Sequence, residues 1–434
     1  MSSRLNRRDV IRGIGAAGVA TIAGCTDGSS GGGGTTTDST TNGGTTTGTT
    51  GDGGASASRT LKQGVLQPTT GGLADLGVPI KNAAVLPQVV LEGQTDFELD
   101  FSVQDTQTNP NAGQSAAQTL RNGGYPAVTG AASSEVTIAV AKNVFIPSGM
   151  VGCSPASTSP AITDLQDNGL IFRTCPTDAL QGQVLAQVAT QEHDASTAAT
   201  MYVNNSYGQL LSESFVSAFQ ERGGSITNQV SFQKAQSSYT SRIQQALSGD
   251  PDTIIVIGYP ESGIQLFSDF YSDFNSNIPI LVTDGLRSQT LPSDVGNPLD
   301  NVTGTAPLAA GPGREYFDEQ FQNEYGSKPG VFTAQAFDAT AVCLLANAAA
   351  GENSGNAIAG QMQAVANPGG EEVTPSTLAD GLSMAASGTE IQYSGASSAV
   401  AFDDNGDLKA ATYEHFGFQQ GGGIETLDEI QFSA

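Results

Sequence analysis

The sequence predicts an α/β protein built on parallel sheets flanked by helices, and two observations carry that reading. From Thr60 onward, short β-branched or apolar runs alternate with longer stretches of helical character, the pattern of repeated strand–helix–strand units. One run, Thr253-Ile254-Ile255-Val256-Ile257, has aliphatic side chains at four consecutive positions. A strand covered by helices on both faces needs such continuity, whereas a half-solvated strand would alternate.

Taken in order, strands are predicted over residues 61–66, 97–103, 127–129, 144–147, 200–203, 253–257 and 279–283. Helices are predicted over 77–91, 111–122, 181–193, 209–222, 239–248, 261–274 and 316–325. In open parallel sheets ligands bind beyond the carboxyl ends of the strands, so the residues there matter most. They are Gly130-Ala131-Ala132-Ser133-Ser134, the stretch 152–163, Asn204-Asn205-Ser206-Tyr207-Gly208, Gly258-Tyr259-Pro260-Glu261 and Asp284-Gly285. Hydroxyls, aromatic rings and a carboxylate recur at equivalent ends. The stretch 152–163 packs hydroxyl residues, two prolines and Cys153 before a predicted helix start. Such a loop can cradle a small anion or carboxylate. The same residue types also serve ordinary turns and N-caps.

The chain has 434 residues, enough for two or three domains, and carries 43 acidic against 17 basic residues for a net charge of −26. Nucleic acid and anionic lipid surfaces are disfavoured partners, because both require clustered Lys and Arg. Abundant acid, few lysines and no tryptophan fit a protein adapted to high salt, where surface carboxylates hold water. An acidic extracellular protein is the other reading.

The N-terminus reads as an export signal. Arg7-Arg8 precedes an apolar run over 10–23, too short to cross a bilayer, in the basic-then-apolar order of a twin-arginine leader. The run ends in small residues directly before Cys25, the layout of a lipoprotein processing site. Residues 1–24 are thus expected to be the signal, with Cys25 the lipid attachment point. Residues 25–59 then form a Gly/Thr/Ser-rich tether that holds no aliphatic core residue and cannot bury a core.

The body resembles a known family. Its local patterns are Gly64-Val65-Leu66-Gln67-Pro68-Thr69-Thr70-Gly71, then Asp105-Thr106-Gln107-Thr108-Asn109-Pro110, residues 130–134 and 154–163. They continue with Phe172-Arg173-Thr174 before Asp178 and Gln181-Gly182, then Tyr207-Gly208, Phe337-Asp338-Ala339 and Phe402-Asp403-Asp404-Asn405-Gly406-Asp407. In order and spacing these are similar to the periplasmic-type solute-binding proteins of branched-chain amino acid ABC transporters, relatives of urea and short-chain amide receptors. The resemblance spans about residues 60–423. It implies a two-lobed type I fold, each lobe a parallel sheet flanked by helices, with three crossings near Thr177, Thr303 and Ala396. Lobe 1 would comprise 60–177 plus 304–395, and lobe 2 would comprise 178–303 plus 396–434.

Carried over by position, Ser134 looks like the hydroxyl that meets a ligand carboxylate. Ser157 and Thr158 look like a second set of contacts to the carboxylate and ammonium. Tyr207 looks like the aromatic that closes from the other lobe, with Tyr259 beside it, and Asp284 stands where amino-acid binders place an acid for the ammonium. The chain departs from the family pattern at Leu86-Pro87-Gln88 and Glu92-Gly93, which replace a Gly-Gly turn. It departs again at Asn109, where an aspartate is common, and at Asp75 and Leu76, where many amino-acid binders carry an aromatic. The implied function is capture of a branched-chain-like amino acid by lobe closure and delivery to an ABC permease, by a monomer without a cofactor, exported and lipid-anchored to the outer face of the membrane. A urea or short-chain amide binder, and a ligand-sensing ectodomain, are the alternatives.

Cys153 and Cys175 flank one strand–helix passage and are expected to pair in an exported protein. Cys343 falls in an Ala-rich helix and reads as a small core residue. His193 and His415 have no metal-ligand spacing, no Gly-X-Ser-X-Gly is present in the body beyond residue 59, and Gly421-Gly422-Gly423 lacks a flanking Lys. Metal, triad and phosphate-loop enzymes are therefore disfavoured. Two N-glycosylation sequons begin at Asn204 and Asn301. The first is expected to stay unmodified beside the cleft, and the second is the candidate for modification.

Overall fold

The computed structural model describes residues 59–274, 277–419 and 423–433, all inside one compact unit, Ser56–Ala434. The signal, Cys25 and the tether as far as residue 58 lie outside the described residues. Arg59, expected as the last residue of the tether, belongs to the body instead. Its guanidinium donates to Asn347 Oδ1 at 3.0 Å and lies 5.9 Å from the centre of the Phe97 ring.

Five strands, β1 (Thr60–Gln67), β2 (Glu98–Asp105), β3 (Ala127–Gly130), β4 (Val151–Ser154) and β5 (Ile171–Arg173), form an all-parallel sheet in the order β2-β1-β3-β4-β5. The next five, β6 (Thr197–Val203), β7 (Ser225–Phe232), β8 (Thr253–Ile257), β9 (Ile280–Val282) and β10 (Val302–Pro307), repeat the same winding as β7-β6-β8-β9-β10. A short parallel ribbon of β11 (Glu371–Val373) and β12 (Ile391–Tyr393) follows. Then β13 (Ala410–Phe418) and β14 (Ile424–Ser433) add to β10 as an antiparallel edge. Each parallel sheet reverses its winding beside its first strand, β1 or β6. That switch point opens a crevice at the carboxyl ends of the strands, so the fold supplies two facing crevices.

The chain passes between the sheets three times. It leaves the first between β5 and the helix Asp178–Gln191. The return lies after Pro307, because Thr303 sits inside β10 and a boundary there would cut a strand of the second sheet. The last crossing comes just before β13. Ala396 is too early, since the loop that follows it stays on the first lobe: Phe402 N–H donates to Asn367 Oδ1 at 2.7 Å and Asp407 pairs with Arg173 at 2.6 Å.

The expected strand at 144–147 is helical. Ser134–Val140 is α-helix and Ala141–Phe145 continues it as a π turn, while the strand is β4, a few residues later. Val136, Val140 and Val144 are all buried, and a spacing of four places them on one helix face. Burial of that stripe outweighed the weak β preference of valine.

The helix Thr333–Ala350 is buried without a break from Thr333 to Ala348. Its small residues allow close approach to β1, β3 and β4 and to the helix Ala74–Val90. Thr340 Oγ1 ties three elements together, lying 2.7 Å from Thr129 Oγ1 and donating to Ala84 O at 2.9 Å.

The expected Cys153–Cys175 disulfide is absent. Both residues are free and buried, as is Cys343. The register pairs Cys153 with Phe172, and Cys175 sits in the bend past the end of β5, its thiol directed at Ser154 O at 3.9 Å. Cys153 faces Cys343 instead, and burial beside that thiol pushes its own ionisation up.

Candidate functional site

The site forms where the two crevices meet. After β3 the chain turns through residues 131–133 into the helix that begins at Ser134. The loop after β4 runs alongside it. From the second sheet, the helix Ser206–Glu221 starts beside β6 and carries Tyr207, Tyr259 follows β8, and Asp284 follows β9. Together these line a small cavity of about 20 Å³. Leu73, Leu76, Ile80 and Phe332 form an apolar wall from the first lobe, Ala132, Ser134 and Ala156 a floor, and Tyr207, Tyr259, Asp284 and Gly285 the opposite face.

Four of the six expected ligand residues meet in this cavity. Ser134 is buried, and its Oγ accepts from Ser159 N–H at 3.2 Å, which leaves its O–H free to donate inward. Tyr207 and Tyr259 lie nearly parallel, 5.7 Å apart at 9°. Tyr207 Oη is 2.7 Å from Thr283 Oγ1 and 3.3 Å from Asp284 Oδ1. Tyr259 Oη accepts from Asn205 Nδ2 at 3.0 Å. Asp284 is 3 % exposed. Burial pushes its carboxyl from 3.8 up to about 6, against the pull of hydrogen bonds from Gln181 and Tyr207.

The other two expected residues do not line the cavity. Ser157 Oγ donates to Ala131 O at 2.8 Å and lies 2.7 Å from Thr137 Oγ1, so its hydroxyl clamps the loop that carries Ala132. Thr158 accepts at its carbonyl from Asp178 N–H at 2.8 Å. Its hydroxyl lies beside the Asp178 carboxyl without completing a hydrogen bond of normal geometry. Ala156 occupies the lining position on this loop.

Sequence reasoning missed the apolar wall. Leu73, Leu76 and Ile80 follow β1 at i, i+3 and i+7, a helical stripe that was legible. Phe332 gave no signal, because it is placed by a left-handed turn at φ 61° just before the helix Thr333–Ala350.

The lobes are latched across the cleft. Ser159 Oγ donates to Ser206 O at 3.1 Å, and Lys234 Nζ reaches Glu135 Oε2 at 3.3 Å. Among the described residues no group of three His, Cys, Asp or Glu is placed to hold a metal ion. The sequons are accessible in the reverse of the expected order. Asn204 is exposed, whereas Asn301 donates through Nδ2 to Ile278 O at 2.7 Å and accepts from the Tyr271 hydroxyl.

Comparisons with known proteins agree with this fold. A family profile described as periplasmic binding protein matches residues 60–374. The chemotactic signal transduction system substrate-binding protein BasB of Halobacterium salinarum is 27 % identical over 339 residues, covering 76 % of this chain and 78 % of that protein. The branched-chain amino acid transporter substrate-binding protein LivJ of Streptococcus pneumoniae, solved with isoleucine, superposes with a TM-score of 0.71 at 18 % identity over 86 % of this chain and 99 % of that one. A solute-binding protein of an R. palustris ABC transporter, solved with benzoate, gives a TM-score of 0.68 at 17 % identity over 85 % and 96 %. The profile covers most of the folded body and the fold is shared almost end to end, so the chain belongs to the periplasmic binding protein family, in the type that includes the branched-chain amino acid binders.

Proposed function

We propose that this substrate-binding protein captures an amino acid with a compact apolar side chain and hands it to an ABC permease, from the outer face of the membrane, where Cys25 anchors it. The observation that carries this is Asp284, a buried carboxylate facing Ser134 across a cavity whose remaining wall is apolar and aromatic. An ammonium suits Asp284, a carboxylate suits the Ser134 hydroxyl, and an aliphatic side chain suits Leu73, Leu76, Ile80 and Phe332. Burial from both lobes favours the closed form, because only contacts made in that form shift the equilibrium.

A ligand bearing only a carboxylate, such as the benzoate of the structural neighbour, would bring a second negative charge beside Asp284, and the site disfavours it. A role in sensing is the second reading, favoured by the likeness to BasB, whose name places it in a chemotactic system. Both readings share the same ligand site. Calorimetry with leucine, isoleucine, valine, urea, acetamide and benzoate in molar salt tests the ligand. Binding of the amino acids supports the proposal, whereas binding of benzoate or urea alone sinks it. Co-purification with a permease, as against a signalling receptor, separates transport from sensing.

A further inference from the structure

A second acid, outside the cavity lining, lies near Asp284. Asp178 opens the helix Asp178–Gln191 and is fully buried, and neither of its carboxyl oxygens accepts a hydrogen bond of normal geometry. Polar atoms near it are also left open. One turn on, Gln181 gives its Nε2 to Thr305 O at 2.9 Å and leaves Oε1 unpartnered, and the Thr158 hydroxyl is unpartnered as well. The charged and titratable groups that face it are Asp284 and Tyr207 from the second lobe, Tyr413 from β13, Cys175, and the Arg173–Asp407 pair. Arg173 is the cation among these and is committed elsewhere. Its Nε donates to Asp407 at 2.6 Å, and its other nitrogens donate to Ser159 O at 2.9 Å and Thr163 Oγ1 at 2.7 Å.

Asp338 shows how this fold satisfies the hydrogen bonding of a buried acid. It accepts from Ala396 N–H, Ser397 N–H, the Ser397 hydroxyl and the Tyr393 hydroxyl. Four donors satisfy that carboxyl, whereas the one hydroxyl beside Asp178, that of Thr158, completes no hydrogen bond of normal geometry. Two ionised carboxylates side by side in a dry interior, without a free cation, would be strongly unfavourable.

Resting on the reading of Asp284 as the ligand's acid, we propose that Asp178 is carried as the neutral carboxylic acid, a positioning residue whose lack of charge leaves Asp284 ionised toward the ligand and whose O–H is a donor for the unpartnered oxygens around it. The direction of its ionisation agrees: burial, then the charge of Asp284, holds the Asp178 carboxyl well above the usual range. A pair of this kind titrates as a unit, with one proton retained after the other has left.

The first test needs no ligand. Infrared difference spectra of the ligand-free protein at neutral pH, wild type minus Asp178→Asn, should contain the C=O stretch of an un-ionised carboxylic acid. Its absence overturns the proposal. The second test is calorimetric. Asp178→Asn retains a donor and should keep amino-acid affinity and its pH profile close to wild type, whereas Asp178→Ala should lose about tenfold, the worth of one buried hydrogen bond to a charged group. A collapse of affinity in Asp178→Asn would show that the ionised form is required and overturn the proposal. If the wild type binds no amine at all, the Asp284 reading fails while the infrared band still decides the state of Asp178. If Asp178→Ala does not fold, the Asn variant and the spectrum remain decisive.

Discussion

Asp284 combines a cost to folding with a use in binding. Its folded carboxyl is raised from 3.8 to about 6 by burial, so the stability it contributes is present below its unfolded value and is lost as pH rises through 6. The ligand-free protein should therefore lose on the order of 3 kcal/mol between pH 4 and 7 from this group alone. Asp284→Asn should unfold at a higher temperature than wild type at pH 7, with the gap narrowing toward pH 4. The same variant should bind an amino acid roughly 100-fold more weakly, through loss of a charge-assisted hydrogen bond. Wild-type affinity should fall as pH drops below about 6, because the ammonium needs the ionised acid. Ser134 and Ser157 separate in a different way. Ser134→Ala should weaken binding and barely move the melting temperature. Ser157→Ala should lower stability by about 1–2 kcal/mol, because its hydroxyl holds the Ala131 and Ala132 carbonyls, and should act on affinity only through that loop.

The elements that build the cleft were read from sequence where burial was continuous and misread where it was periodic. The run 253–257 is strand β8 because every position is buried. Residues 136–145 look β-rich by composition, yet their buried stripe repeats every four residues, and periodicity outranks composition as a signal. The short strands β4 and β5, of four and three residues, are too brief to show any period. The antiparallel edge strands β13 and β14 owe their place to pairing with β10 and with each other, a long-range fact that no local pattern records. Ser157 and Thr158 were placed in the right loop but one step past the lining residue, Ala156, because the turn that aims each side chain is set by contacts with residues 131 and 137. The latch between Lys234 and Glu135 joins elements from different lobes. Lys234→Ala should weaken ligand binding by up to about fivefold, the worth of a part-exposed ion pair, and should leave the melting temperature of the ligand-free protein unchanged. An equal loss in both would make the contact structural.

Among the described residues, the two large sheets share one winding and are set so that their switch points face one another. That arrangement explains why residues as distant in sequence as Ser134 and Asp284 line one cavity, and why the polar ends of strands from both halves were the informative positions. The net charge of −26 lies on a surface that molar salt would screen, so the melting temperature should climb with salt while the buried Asp284 contact stays largely insensitive to it. The most direct test is a calorimetric titration of wild type and Asp284→Asn with isoleucine and with benzoate, at pH 7 in molar salt. One isoleucine should bind per wild-type chain, benzoate should not bind, and the variant should lose isoleucine. Benzoate binding without isoleucine, or isoleucine affinity unchanged in Asp284→Asn, would contradict the assignment of this cleft to an amino acid.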